Sequence, residues 1–132
     1  MLALLALAAL SHAADGKWIT VEASAYCPCS LCCDKRTERT ADGTNTRNVP
    51  YGVAASPDLP LGSKIYIPPG AGYLDDSRKN DRVFTIDDRG GLLRSEWRRT
   101  GITRIDLRYK HHWSAQQFGR KLMMVYVEEG TE

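Results

Sequence analysis

Two groups of residues in this chain could do chemistry, and the first is acidic. Asp87-Asp88-Arg89-Gly90-Gly91 runs directly out of an alternating apolar segment, and Asp106 stands in the middle of another. Adjacent carboxylates at a strand end point to opposite faces, so one can support the backbone while the other enters a cleft. The paired glycines allow a sharp turn or a close approach to a ligand. Asp is disfavoured inside strands, so Asp106 needs a reason. An exposed ion pair with Arg104 or Arg108 would supply one. If its face lines a cleft instead, desolvation and the charge of Asp88 both raise its pKa, leaving a protonated acid near neutrality. The chemistry to expect from such a pair is general acid/base catalysis.

The second group is Cys27-Pro28-Cys29-Ser30-Leu31-Cys32-Cys33, which holds all four cysteines of the chain. In an oxidising compartment an even count favours disulfides. Pairing Cys27 with Cys29 would force a strained vicinal bridge between Cys32 and Cys33. That leaves Cys27–Cys32 with Cys29–Cys33, or Cys27–Cys33 with Cys29–Cys32. A four-thiolate metal site on Cys27, Cys29, Cys32 and Cys33 is the alternative, although structural zinc sites usually draw ligand pairs from separate segments. His111 or His112 could activate a cysteine as a nucleophile, but the spacing places neither beside this loop.

These residues need a scaffold, and the chain has room for one domain. It has 132 residues, 42% hydrophobic and 26% charged, with a formal net charge of +2. Those values exclude a disordered chain and give no sign of a dedicated nucleic-acid binder. Leu and Ala fill positions 2–10, and Ser11-His12-Ala13-Ala14 follows. The run is too short to span a bilayer and ends in the small residues that a signal peptidase needs. Residues 1–14 are therefore expected to be a signal peptide, and 15–132 one exported domain, periplasmic or secreted, without a transmembrane segment. With no oligomerisation stripe, a monomer is expected.

Alternation with a period of two marks strands at 17–26, 51–55, 63–68, 81–87, 104–109 and 121–128. The polar stretch 27–50 reads as a long cysteine-rich loop. Ser114 as N-cap, Gln117 and the stop at Gly119 mark one short helix before the last strand. Six short strands and one helix make a small, mainly β barrel the expected fold.

Several segments resemble a known family: Val53-Ala54-Ala55-Ser56-Pro57, Leu59-Pro60-Leu61-Gly62-Ser63-Lys64-Ile65-Tyr66-Ile67-Pro68, Asp88-Arg89-Gly90-Gly91, Arg104-Ile105-Asp106-Leu107 and Phe118-Gly119-Arg120. In this order they look like the 3D (three-aspartate) domain, the barrel shared with MltA-type lytic transglycosylases. Thr40-Ala41-Asp42-Gly43 resembles the family's Thr-Ala-Thr/Ser-Gly segment. The resemblance spans roughly residues 22–127 and implies a six-stranded double-psi β-barrel acting on peptidoglycan.

Asp106 then falls on the family's general acid/base, and Asp88 on the aspartate of an Asp-Thr-Gly-Gly turn flanking the cleft. Ser56 stands where the family has its first aspartate, and Arg89 replaces the usual Thr. Asp58, two residues on, would be aimed differently by the turn. Substrate contacts are expected from Tyr26, Thr40, Ser56, Gly90 and Gly91. Residues 92–103 look longer than the family's connection. There Arg94, Trp97, Arg98 and Arg99 could form a cationic wall for acidic stem peptides, or a solvated loop.

The implied activity is cleavage of the β-1,4 bond between N-acetylmuramic acid and N-acetylglucosamine with formation of an anhydro ring, needing neither metal nor cofactor. An inverting hydrolase using Asp88 and Asp106 is one alternative. A non-catalytic glycan-binding module on the same barrel is the other.

Overall fold

A computed structural model describes residues 16–33, 38–68 and 83–130. The expected leader lies outside these, as do Asp81 and Arg82 of the expected fourth strand. Six strands form a closed barrel: β1 (Gly16–Tyr26), β2 (Gly52–Ala55), β3 (Lys64–Tyr66), β4 (Val83–Asp88), β5 (Arg104–Arg108) and β6 (Lys121–Glu128). Their order around the barrel is β1-β5-β2-β4-β3-β6. The β1/β5 and β2/β4 pairs are parallel, and the other four are antiparallel.

Alternation builds the interior. Each strand sends at least one β-branched side chain to full burial: Val21, Val53, Ile65, Ile86, Ile105, and both Val125 and Val127. Such residues fit the pleat, and each contributes about 1.5–3 kcal/mol by leaving water. The six strands expected from the sequence are thus all present, in a mainly β barrel.

Helices are where the expectation needs correction. There are three rather than one among the described residues: α1 (Ser30–Cys33), α2 (Gly91–Thr100) and α3 (His112–Phe118). The long loop is interrupted by α1 and by an isolated bridge between Arg39 and Asn45. Residues 92–103, expected as wall or solvated loop, are mostly α2, which buries only Leu93. A helix with so narrow an apolar face leaves almost no periodic signal. It ends at Gly101, whose φ of 73° is the left-handed cap and whose N–H reaches the Trp97 carbonyl. The third helix starts two residues before Ser114, with no side-chain cap, so Ser114 lies inside it.

The barrel also holds a buried ion pair. Arg108 is fully buried and donates to Asp87 through both Nη atoms, each at 2.7 Å, and to the Val49 carbonyl at 3.1 Å. Burial works against the Arg108 charge, but the Asp87 hydrogen bonds and the facing Tyr26 hold its pKa above the ordinary value. Gly52 makes room for the pair, because a Cβ there would stand 2.6 Å from Asp87 Oδ2 and 2.9 Å from Arg108 Cζ. Arg104 is also buried, paired with Glu22 at 2.8 Å and with Glu96 at 3.5 Å. Neither arginine serves Asp106, so the exposed ion pair considered for that aspartate does not form.

Candidate active site

The ladder registers assemble the site. In the parallel β1/β5 pair, Glu22, Ser24 and Tyr26 stand beside Arg104, Asp106 and Arg108. On the other edge of β5, Ala54 faces Asp106, and Ala54 also faces Asp88 across β2/β4. Ser24, Asp106, Ala54 and Asp88 therefore form one row over four neighbouring strands. Two inter-strand steps separate the aspartates, about 10 Å at Cα. The methyl of Ala54 between them leaves open floor.

An irregularity in the ladder decides where Asp88 goes. Val53 faces Ile86, but the next residue, Ala54, faces Asp88, so β4 carries one extra residue there. A bulge of this kind breaks alternation and re-aims a side chain. Asp87 is held against Arg108 above Gly52, while Asp88 reaches the cleft beside Ala54. The simple expectation of opposite faces is corrected by this bulge. The division of labour, one carboxylate structural and one in the cleft, stands.

The cleft has a volume of about 470 Å³, within the usual range for ligand sites of roughly 300–1,000 Å³. Tyr26, Asp88, Gly90, Gly91 and Asp106 all line it. Asp106 is only partly exposed and accepts a hydrogen bond from Ser24 Oγ at 3.1 Å. Burial pushes its carboxyl up to about 6; Ser24 and Arg120 pull it down, and Asp88 adds to the rise. Ser24 thus holds Asp106.

Asp88 is held more tightly. The Tyr26 hydroxyl donates to Oδ2 at 2.8 Å, and the Ala41 and Arg89 amides both donate to Oδ1 at 2.9 Å. Burial raises the Tyr26 pKa well above the usual phenol, with Arg108 pulling the other way and Asp88 adding to the rise. The phenol therefore remains a donor.

Two expected substrate contacts belong elsewhere. Ser56 is fully buried and ties β2 to β5: its Oγ donates to Asp58 Oδ1 at 2.6 Å and accepts from the Arg104 amide at 3.0 Å. Asp58 also accepts from the Thr103 hydroxyl and does not reach the cleft. Thr40 is buried too. It donates to Asp42 at 2.7 Å and accepts from the Thr44 amide at 3.1 Å, closing a turn. That turn serves the site indirectly, by presenting the Ala41 amide to Asp88. In both cases the hydroxyl is already engaged, donating to an aspartate two residues on and accepting from a backbone amide.

The cationic wall is relocated as well. Arg94, Trp97, Arg98 and Arg99 do not line the cleft; its guanidinium groups come from Arg89, Arg104 and Arg120. Arg99 instead pairs with Glu96 on its own helix.

The cysteine loop forms one wall, through Cys32 and Cys33. None of the four cysteines is in a disulfide, so neither expected pairing is present. The nearest approach, Cys27 Sγ to Cys29 Sγ, is 2.7 Å, beyond bonding distance. His112, which spacing alone did not place near this loop, packs against it from the start of α3, with Nδ1 3.2–3.6 Å from three of the sulfurs. Burial and hydrogen bonding to Cys29 push the Cys27 thiol up to about 12. For Cys29 burial is outweighed by hydrogen bonds from Cys27, two backbone amides and His112, which lower it to about 6.

Among the described residues, no helix is long and apolar enough to cross a membrane. Set against known proteins, the chain matches no family model and no curated protein. The likeness to the three-aspartate barrels is therefore carried by the short ordered motifs alone.

Proposed function

We propose that this protein is a peptidoglycan-cleaving lytic transglycosylase with Asp106 as its one acid/base. The observation that carries the reading is the Asp106 carboxyl, half-sheltered in a cleft of sugar-binding size, raised to about 6 and held by a single hydroxyl. Protonated Asp106 gives its proton to the glycosidic oxygen as the bond to C1 of the N-acetylmuramic acid breaks. The resulting carboxylate then takes the proton of that sugar's C6 hydroxyl, whose oxygen closes onto C1. No water is consumed, and positioning of the attacking hydroxyl replaces activation of a solvent molecule.

Asp88 fits a supporting role. Its oxygens already accept from Tyr26, Ala41 and Arg89, so it is a fixed charge facing the developing oxocarbenium ion rather than a base free to seize water. The uncapped first turn of α2, at Gly91, borders the same cleft. Open amides there favour acceptor oxygens of the substrate. An exported enzyme would meet this substrate in the wall.

One observation favours a second reading. The two-strand separation of Asp88 and Asp106, about 10 Å at Cα, suits the wide carboxylate spacing of inverting hydrolases better than the narrow spacing of retaining ones. Mass analysis of muropeptides released from purified sacculi separates the readings. Anhydro ends, one water lighter than reducing ends, are the expected product. Reducing ends would point to the hydrolase, and binding without soluble products to a glycan-binding module.

A further inference from the structure

We propose that Cys27, Cys29, Cys32 and His112 form a closed, structural zinc site that clamps the cysteine loop to α3. The topology explains how residues so far apart in sequence meet. Strands β1 and β5 are parallel neighbours with Tyr26 beside Arg108. The Tyr109 amide extends that ladder to the Tyr26 carbonyl at 2.7 Å. Both chains therefore leave the barrel at the same end, and Cys27 and His112 emerge side by side.

The distances suit a tetrahedron. Nδ1 of His112 lies 3.6 Å from Cys27 Sγ, 3.3 Å from Cys29 Sγ and 3.2 Å from Cys32 Sγ, and Cys27 is 3.6 Å from Cys32. With Zn–S about 2.3 Å and Zn–N about 2.0 Å, the edges should be about 3.8 Å between sulfurs and about 3.5 Å from sulfur to nitrogen. Four edges are already within about 0.4 Å of those values. Of the other two edges, Cys27–Cys29, at 2.7 Å, must open by about 1 Å, and Cys29–Cys32 is no longer than 4.8 Å. All four ligand atoms lie within 4.8 Å of one another.

Cys33 is outside the set. Its Sγ is turned to the Cys27 carbonyl at 3.5 Å. This is expected when the α1 turn, closed by the Cys33 amide on the Cys29 carbonyl, carries successive side chains to different sides. The donor set is therefore three thiolates and one imidazole. Zinc(II) from the medium binds as each of the three thiols releases its proton to solvent, with no change of oxidation state. Four protein ligands leave no open position, so the metal's role is structural. It fixes the wall on which Cys32 borders the cleft. This assignment stands independently of the glycan chemistry.

The test is metal analysis of the whole chain purified under reducing conditions, with X-ray absorption to count the ligands. The expected result is stoichiometric zinc bound by three sulfurs and one nitrogen. Cys33→Ser should retain it. His112→Ala should weaken zinc binding by more than about a hundredfold, since losing even an outer partner of a ligand costs 10–100-fold. His112→Cys should restore tight binding. If His112→Ala does not fold, the ligand count on the unaltered chain still decides. Four sulfurs would overturn the assignment, as would a metal-free chain, or one whose mass shows the hydrogens lost to disulfides. So would loss of zinc in Cys33→Ser with retention in His112→Ala.

Discussion

Asp106→Asn should lower the release of soluble muropeptides from sacculi by about 10²–10⁴-fold, the usual worth of a positioned general acid/base. The amide can still accept from Ser24 Oγ, which donates to the carboxyl at 3.1 Å in the parent, so the local geometry should survive. What is lost is the transferable proton. Stability should move the other way. The folded Asp106 binds its proton more tightly than the unfolded chain does, its carboxyl being raised from 3.8 to about 6. Between those values the folded state holds more protons, so stability falls as pH rises through the window and levels off above about 6. Asn removes that loss. Urea denaturation should therefore find the variant equal to the parent near pH 4 and more stable by about 1–2 kcal/mol near pH 8, discounting the full shift for partial solvent access. An inactive variant that is also more stable at alkaline pH cannot be explained by misfolding.

Arg108→Met should cost about 3–5 kcal/mol, a large share of a small domain's stability. It strands the Asp87 carboxylate, which is buried and takes two 2.7 Å hydrogen bonds from this guanidinium. The same arginine contacts the Tyr26 hydroxyl at 3.4 Å, so the partner of Asp88 loosens too. Replacing both members, Asp87→Leu with Arg108→Met, should recover much of the loss because no charge is left unpaired. Comparing the single and double variants by denaturant unfolding checks this. Equal losses in both would place the cost in packing around the arginine rather than in the stranded charge.

The barrel was legible in the sequence wherever alternation was clean. Residues 17–26 set Ile19, Val21, Ala23 and Ala25 against a polar face, and β1 follows that pattern, with Val21 and Ala23 fully buried. Helix α2 was not legible, because Leu93 alone is buried and a Gly-Gly pair opens it. Asp88, Asp106, Tyr26, Gly90 and Gly91 could be placed at one cleft from motif order and strand ends. Ser56 and Thr40 were misdirected, because motif position says which segment a hydroxyl belongs to and nothing about whether a neighbouring amide has claimed it. Arg104 and Arg108 looked exposed because their acidic partners, Glu22 and Asp87, lie on strands distant in the chain. The approach of His112 to the cysteines depends on the parallel β1/β5 pairing. Only a sequence reading that had already paired those strands could have found it.

The claim beneath the whole account is that one carboxyl in the cleft stays protonated to unusually high pH. NMR titration of the Asp106 side-chain carboxyl in the folded protein tests that without reference to any substrate. The account predicts a midpoint at about 6. A midpoint near the ordinary aspartate value of about 3.9 would contradict it, because such an acid keeps its proton in only about one molecule in a thousand at pH 7, against about one in ten for a midpoint of 6.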